Sequence, residues 1–393
     1  MIVAGESSGE LYGSLLASSI KGLWPEARVL GIGGEKMRKA GVEVVSGIAG
    51  AFGLTEAVSS YRSLRDTFAK AVAALEKERP DVAVLIDYPE FNLRLARHAR
   101  RLGVPVLYYV SPQVWAWRRG RVRTIAGLVR KMAVILPFEE PIYRDAGLEC
   151  EFVGHPITDE MKDLPAAGAE AKARLGLDAS MPLLALLPGS RRHELKRLLP
   201  LMLGVVRRSR REFPDYGFFM PLAPDVDEGL FAGQIEDLRG EGVTVRKENA
   251  LIALLASEAA VIASGTATLQ AALLGTPTVV VYRVFPLTYF IGRRVIDVKY
   301  ITLANLLLDK EALPELIQGR ANPEEVVKEL KAILTDEGRR EAMERDLQAV
   351  RAMFAGRRPS ERVARMAGEI AGWGGPAGVS AGGGEPGKAG SGR

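Results

Sequence analysis

Residues 183–200 read LLALLPGSRRHELKRLLP, and the fold turns on how the first half of that stretch runs into the second. Five apolar residues, Leu183 to Leu187, form a continuous run with no polar alternation, the pattern of a strand covered on both faces. The run stops at Pro188-Gly189-Ser190-Arg191. A strand entering a helix through glycine leaves backbone N–H groups uncommitted at the helix start, and these attract anions. Arg191 and Arg192 add permanent positive charge suited to phosphate oxygens. The alternative reading is an ordinary strand–turn–helix joint with a solvated basic rim. Pro200 predicts that a new helix starts near Leu199, because proline suits a first helical turn.

The same joint recurs twice. AAVIASGTATLQ, residues 259–270, is a strand followed by Ser264-Gly265-Thr266 and a helix that carries Gln270. Hydroxyls and glycine at a helix start suit phosphate or ribose oxygens, although serine and threonine also simply cap helices. VAGESSGELYG, residues 3–13, places Gly5, Ser8 and Gly9 after the first strand. Glu6 there would repel a phosphate, so this loop reads as an edge of a cleft or a holder of a hydroxylated acceptor. A Walker-type lysine loop is missing, and GIGGEKMRKAG at 31–41 has the wrong glycine spacing for a dinucleotide fingerprint.

Working outward, short apolar runs alternate with helical patterns through both halves of the chain. MIVAG, RVLGIGG, DVAVLIDY, VPVLYYV and KMAVILPF occupy the first half; PLLALLPG, YGFFMPL, VTV, AAVIASG and PTVVVY the second. Helical spacing is clear at 68–77 and 92–102. This predicts an α/β protein of two doubly wound, Rossmann-like domains facing a cleft. The expected boundaries are residues 1–160 and 161–345 for the two domains, 346–371 as C-terminal helices and 372–393 as a disordered tail. A linker is expected at 156–168, where Pro156, Pro165 and Gly168 break the rhythm. In the tail, ten of twenty-two residues are glycine, too little apolar surface to order itself.

Composition narrows the class further. The chain has 393 residues, a formal charge of +5, one cysteine (Cys150) and three histidines. A single cysteine excludes an internal disulfide framework and a multi-cysteine zinc site, and it fits a reducing compartment. The acidic start has no signal-peptide pattern, and no run reaches the roughly 18–20 apolar residues of a membrane span.

VLIDYPEFN, residues 84–92, ends a buried strand on Asp87, where a carboxylate is costly without a role. Asp87 is read either as a general base at the strand's carboxyl end or as the cap of the following helix. Glu90 is the rival base, and Asn92 faces the same helix. Between Asn92 and Lys131 there are ten Arg or Lys residues and no Asp or Glu, interleaved with Tyr108, Tyr109, Trp115 and Trp117. Nucleic acid, a membrane surface and a solvated helix face packed over aromatics all fit that pattern.

Taken in order, AGESSGELYG, IDYPEFN, YVSPQVWAW, LPFEEPIYRDAG, FVGHPITD, LLPGSRRHE, ASGTATLQ and LANLLLDKEALPELIQ make the chain resemble the lipid-A-disaccharide synthases, inverting glycosyltransferases. The similarity runs from Ile2 to about Gln318. It implies a GT-B-like fold and transfer of diacylglucosamine from UDP-2,3-diacylglucosamine to the 6-hydroxyl of 2,3-diacylglucosamine 1-phosphate. The products are a β(1→6) disaccharide phosphate and UDP. It implies no metal and no cofactor, a cytoplasmic protein peripheral on the inner-membrane surface, and no nucleic-acid partner; a homodimer is compatible with it. By the same resemblance the donor UDP is held by Gly189, Ser190, Arg191, Glu194, Ser264, Gly265, Thr266, Gln270 and Asn305. Asp87 matches the essential carboxylate, and Ser8, Gly9, Asn92 and Trp115 line the acceptor side. Glu10, Gln270 and Ala304 depart from the usual Asp, Glu and Pro. The rival functions are another GT-B enzyme on UDP-GlcNAc (a peptidoglycan glycosyltransferase or an epimerase), a two-domain solute-binding protein and a basic nucleic-acid binder.

Overall fold

The computed structural model describes residues 1–47, 57–116, 120–285, 289–290 and 298–375. The first sheet contains β1 (Ile2–Ala4), β2 (Leu30–Ile32), β3 (Glu43–Ser46), β4 (Ala83–Ile86), β5 (Val106–Tyr109), β6 (Lys131–Val134) and β7 (Cys150–Phe152). The second contains β8 (Leu183–Leu187), β9 (Gly217–Leu222), β10 (Val243–Lys247), β11 (Ala259–Ala263), β12 (Thr278–Tyr282) and β13 (Glu315–Ile317). The spatial orders are 3-2-1-4-5-6-7 and 10-9-8-11-12-13, and the paired strands run parallel. Both are doubly wound. Each reverses direction once, between β1 and β4 and between β8 and β11, where ligands of such sheets bind.

The apolar runs explain the sheet centres. Every residue of β4, β8 and β11 is buried. Three strands escape the sequence reading: β3, β7 and β13, each at a sheet edge. They are short and carry Glu43, Glu151 and Glu315; Glu43 and Glu151 sit where an edge strand is covered less, whereas Glu315 is buried among hydrogen-bond donors.

A further difference concerns Pro200. No helix starts near Leu199; one helix runs from Arg192 to Glu212 with Pro200 inside it. Pro200 is exposed, so the carbonyl it leaves without a donor faces water. The buried Leu195, Leu198, Leu199, Met202, Val205 and Val206 hold both sides of the helix to the sheet and outweigh the lost bond.

The expected linker carries the short helix Ile157–Glu160 and a 3-10 turn, Met161–Asp163. The C-terminal helices are Pro323–Thr335, Glu337–Phe354 and Pro359–Ala371, so the expected start at residue 346 falls inside the second of them. The last returns to the first sheet. Arg362 forks Glu151 at 2.6 and 2.7 Å, Lys131 meets Glu369 at 3.3 Å, and Ser360 N–H donates to Asp159 at 2.9 Å. The predicted tail begins as ordered chain: Trp24 packs edge-on against Trp373 at 5.2 Å and donates to the Gly374 carbonyl at 2.9 Å. From residue 376 onward it lies outside the described residues, as does Trp117. Among the described residues no helix is long and apolar enough to cross a membrane.

Candidate active site

At the reversal point of the first sheet, β4 ends in Asp87-Tyr88-Pro89. Asp87 and Tyr88 both sit in the left-handed region, at φ 46° and 48°. Two consecutive non-glycine residues there cost on the order of 1–3 kcal/mol each, and such strain persists only where the surroundings over-determine it. The surroundings are explicit. Asp87 N–H donates to the Tyr109 carbonyl at 3.0 Å. The Asp87 carbonyl accepts from the Tyr108 hydroxyl at 2.6 Å and from Asn92 Nδ2 at 2.8 Å, and Asn92 also reaches the Ile86 carbonyl at 3.1 Å. Gly5, at the end of β1, leaves room for the turn: a Cβ there would collide with the Tyr88 ring. Strain extends to the end of β5, where Val110 has φ 65°.

The Asp87 carboxyl is pushed up to about 6. Burial is the main cause and the charge of Glu6 adds to it, while a hydrogen bond from Tyr88 N–H works the other way. The cap reading of Asp87 fails. The helix Pro89–Arg101 has Tyr88 at its N-cap, whose own side chain makes no cap bond, and Asp87 stands one residue ahead of it, accepting only the Tyr88 N–H. Pro89 opens the helix instead, since its missing N–H would be unsatisfied anyway. Glu90 is exposed and ion-paired with Arg121 at 2.7 Å. Asn92 is fully buried, with Oδ1 lacking a partner among the described residues. Ser8, exposed, and Gly9, buried, sit in the first turn of the helix Ser7–Leu23 that follows Gly5-Glu6.

Trp115 is oriented by a residue the sequence reading gave no role. Glu139 is buried after the end of β6 and accepts from Ser111 Oγ at 2.8 Å, Trp115 Nε1 at 3.2 Å and Leu136 N–H at 3.1 Å. Burial pushes its carboxyl up to about 7 against those donors. The readable signal was a charged residue directly after the apolar run KMAVILPF.

At the reversal point of the second sheet, β8 ends in the predicted turn, with Gly189 at φ 97°. Ser190 and Arg191 N–H groups converge, and Glu194 Oε2 receives them at 3.2 and 3.1 Å. Glu194 thus closes a capping box on the helix that carries it. The end of β12 lies near the same turn: the Tyr282 hydroxyl feels the charges of Glu194 and Arg191. Across the reversal point, Ser264, Gly265 and Thr266 open the helix Thr266–Leu274, with Gln270 half-buried one turn on. Asn305 is fully buried, and its amide is committed. Nδ2 donates to the Leu313 carbonyl at 2.8 Å and Glu315 Oε1 at 2.9 Å, and Oδ1 accepts from Leu313 N–H at 2.8 Å. Glu315 also accepts from Ile301 and Thr302. Asn305 is tied through Glu315 to the loop whose Ile301 carbonyl accepts from Ser264 Oγ at 3.4 Å.

The arrangement offers a carboxylate near neutrality on one sheet and a cluster of N–H, hydroxyl and guanidinium donors on the other. These are the parts a transfer from a phosphate-activated sugar to a hydroxyl needs.

Comparison with known proteins bears on which sugar. The profile of a family described as lipid-A-disaccharide synthetase matches residues 1–367. The lipid-A-disaccharide synthase of Syntrophus aciditrophicus is 44% identical over 369 residues, covering 93% of this chain and 96% of its own. That of Geobacter sulfurreducens is 40% identical, covering 95% and 97%. Among solved structures, UDP-GlcNAc 2-epimerase from Neisseria meningitidis bound to UDP-GlcNAc superimposes with a TM-score of 0.61 at 9% identity, covering 94% of this chain and 98% of its own. Acinetobacter baumannii MurG does so with 0.58 at 12%, covering 94% and 99%. At such identities the likeness concerns the fold alone.

Proposed function

Since the chain belongs to the lipid-A-disaccharide synthase family and is thereby a glycosyltransferase of lipid A biosynthesis, we propose that Asp87 is its general base and the Gly189–Arg191 turn its leaving-group site. The donor is UDP-2,3-diacylglucosamine and the acceptor 2,3-diacylglucosamine 1-phosphate. The acceptor 6-hydroxyl attacks the donor's anomeric carbon from the side opposite the UDP. A C–O bond forms there as the bond to the β-phosphate oxygen breaks, which inverts the centre and gives a β(1→6) link. The hydroxyl proton passes to Asp87. A carboxyl held at about 6 is ionised at neutral pH and still basic enough to accept a proton during the transfer.

The charge developing on the diphosphate falls to Arg191 and to the N–H groups of Ser190 and Arg191. Those N–H groups rest on Glu194 without ligand, so the carboxylate shapes the turn that the diphosphate enters. Ser264, Gly265, Thr266 and Gln270 hold the nucleotide from the other side, with Ser264 touching the Ile301 loop that Glu315 and Asn305 fix. Ser8, Gly9 and Trp115 bound the acceptor. Arg94, Arg97, Arg100 and Arg101 stand exposed on one helix, and this supports contact of the first domain with an anionic bilayer surface.

The observation that carries this reading is Asp87: a half-buried carboxylate on strained backbone at the reversal point of a doubly wound sheet. The test is incubation of purified protein with the two lipid substrates. Mass spectrometry should show a disaccharide monophosphate and UDP formed in equal amounts. UDP released without disaccharide, or an epimerised UDP-sugar, would contradict it.

A further inference from the structure

Beside Tyr88 a cleft of about 240 Å³ opens between the helices Ala57–Glu78 and Pro89–Arg101. Its walls are Leu64, Phe68, Tyr88 and Phe91. The aromatic wall is ordered: Tyr88 stacks on Phe91 at 5.4 Å and Phe68 meets Phe91 edge-on at 5.2 Å. Aromatics packed between two helices need no ligand to explain them, since such contacts seal the join. Here the join is not sealed, and the opening lies one residue from Asp87. The volume falls short of the roughly 300–1,000 Å³ that holds a whole small molecule, so the cleft suits a part of one.

Charge supplies the second observation. Arg65 and Arg94, both exposed, stand at the rim, and among the described residues neither is held in an ion pair. The acid at the rim, Glu90, is neutralised by Arg121 at 2.7 Å. An apolar slot with two available guanidiniums beside it recognises a hydrocarbon chain attached to an anionic head. The arginine stems extend the apolar wall while their planar heads suit phosphate oxygens.

We propose that this cleft is the subsite for one acyl chain of the acceptor, and that Arg65 and Arg94 hold the acceptor's 1-phosphate. This rests on the functional reading above and assigns the chain to the acceptor, because Tyr88, which walls the cleft, directly follows the base in the chain and the donor nucleotide belongs to the other sheet. Each methylene withdrawn from water contributes about 0.8 kcal/mol, roughly a fourfold gain in affinity. Two methylenes more or fewer in the cleft therefore change acceptor preference by about fifteenfold.

The experiment is steady-state kinetics with acceptors of graded acyl length at a fixed, saturating donor. Leu64→Trp narrows the slot and should cut kcat/KM for long-chain relative to short-chain acceptors by about tenfold. Phe68→Ala widens it and should move the optimum to longer chains; it serves also if the tryptophan variant does not fold. Arg94→Ala should raise the acceptor KM by about tenfold and leave the donor KM unchanged. Chain-length profiles identical in wild type, Leu64→Trp and Phe68→Ala overturn the inference while leaving the transferase reading intact. So does a profile that shifts for donor chain length instead. Wild-type protein that transfers to no acylated acceptor overturns the functional reading and this inference together.

Discussion

Glu194 accepts the backbone N–H of Arg191 at 3.1 Å and meets its guanidinium at 3.4 Å, so one carboxylate holds both groups expected to receive the diphosphate. The two residues should separate experimentally. Arg191 is exposed, and an exposed pair contributes little stability. Arg191→Ala should leave the melting temperature nearly unchanged while weakening UDP by roughly tenfold or more, since it removes a charge-assisted bond to phosphate. Glu194→Ala breaks the capping box and should cost about 1 kcal/mol of stability. Calorimetric UDP titrations and thermal melts of both variants check this. Equal UDP affinity in wild type and Arg191→Ala would remove that arginine from the donor site.

Gly5 and Tyr88 occupy the same space from two strands. Gly5→Ala should destabilise by roughly 1–3 kcal/mol, because the new Cβ meets the Tyr88 ring. Tyr88→Ala in the same chain should recover part of that loss, giving a non-additive cycle. Denaturant melts of the four proteins measure it; strictly additive effects would mean that the turn tolerates the methyl group.

Much of this was legible beforehand. The continuous apolar runs at β4, β8 and β11 could be read because both faces are covered, and the three glycine-bearing joints fall at the two reversal points. What escaped did so for physical reasons. β7 and β13 are edge strands of three residues carrying glutamates, which look like loop. Pro200 breaks a helix by local rules, and only long-range burial of its neighbours keeps the helix whole. Glu139 and Glu315 drew no reading because their donors, such as Trp115 and Asn305, are brought to them by the fold. Asn305 was named only through the family resemblance, and its commitment to Glu315 was not legible.

Glu139 should titrate visibly. Its carboxyl, pushed up to about 7 from an ordinary 4.5, favours folding fully below about 4.5, and that contribution disappears as pH rises through 7. Glu139→Gln should therefore stabilise the protein more at pH 8 than at pH 5. Because Trp115 donates to this carboxyl, the fluorescence difference between wild type and Trp115→Phe should change with a midpoint near 7. Glu139→Gln should abolish that transition. A flat difference from pH 5 to 8 would show that Glu139 keeps one protonation state.

The exposed arginines of the helix Pro89–Arg101 predict salt-sensitive binding to anionic vesicles. Flotation should show association at low ionic strength that weakens as salt screens the surface. Replacing Arg97 and Arg101 by glutamine should weaken it further. No association at low salt would contradict this, and binding indifferent to salt would shift the contact to apolar insertion.

The central claim is that Asp87 takes the acceptor's proton, and Asp87→Asn tests it most directly. The amide keeps the shape and can still receive the Tyr88 N–H, but it accepts no proton. Turnover should fall by roughly two to four orders of magnitude, with UDP affinity nearly unchanged. In wild type, kcat/KM should fall below a pH of about 6 as the carboxylate is protonated. Burial holds the folded carboxyl at about 6, above its ordinary 3.8, so its charge weakens the fold at neutral pH. Asp87→Asn should therefore also melt higher at pH 7–8, by up to about 3 kcal/mol of stability. A variant that is more stable, still binds UDP and transfers no sugar is the predicted result. Normal turnover in Asp87→Asn, above all with Glu90→Gln inactive, would contradict the account and move the base to Glu90.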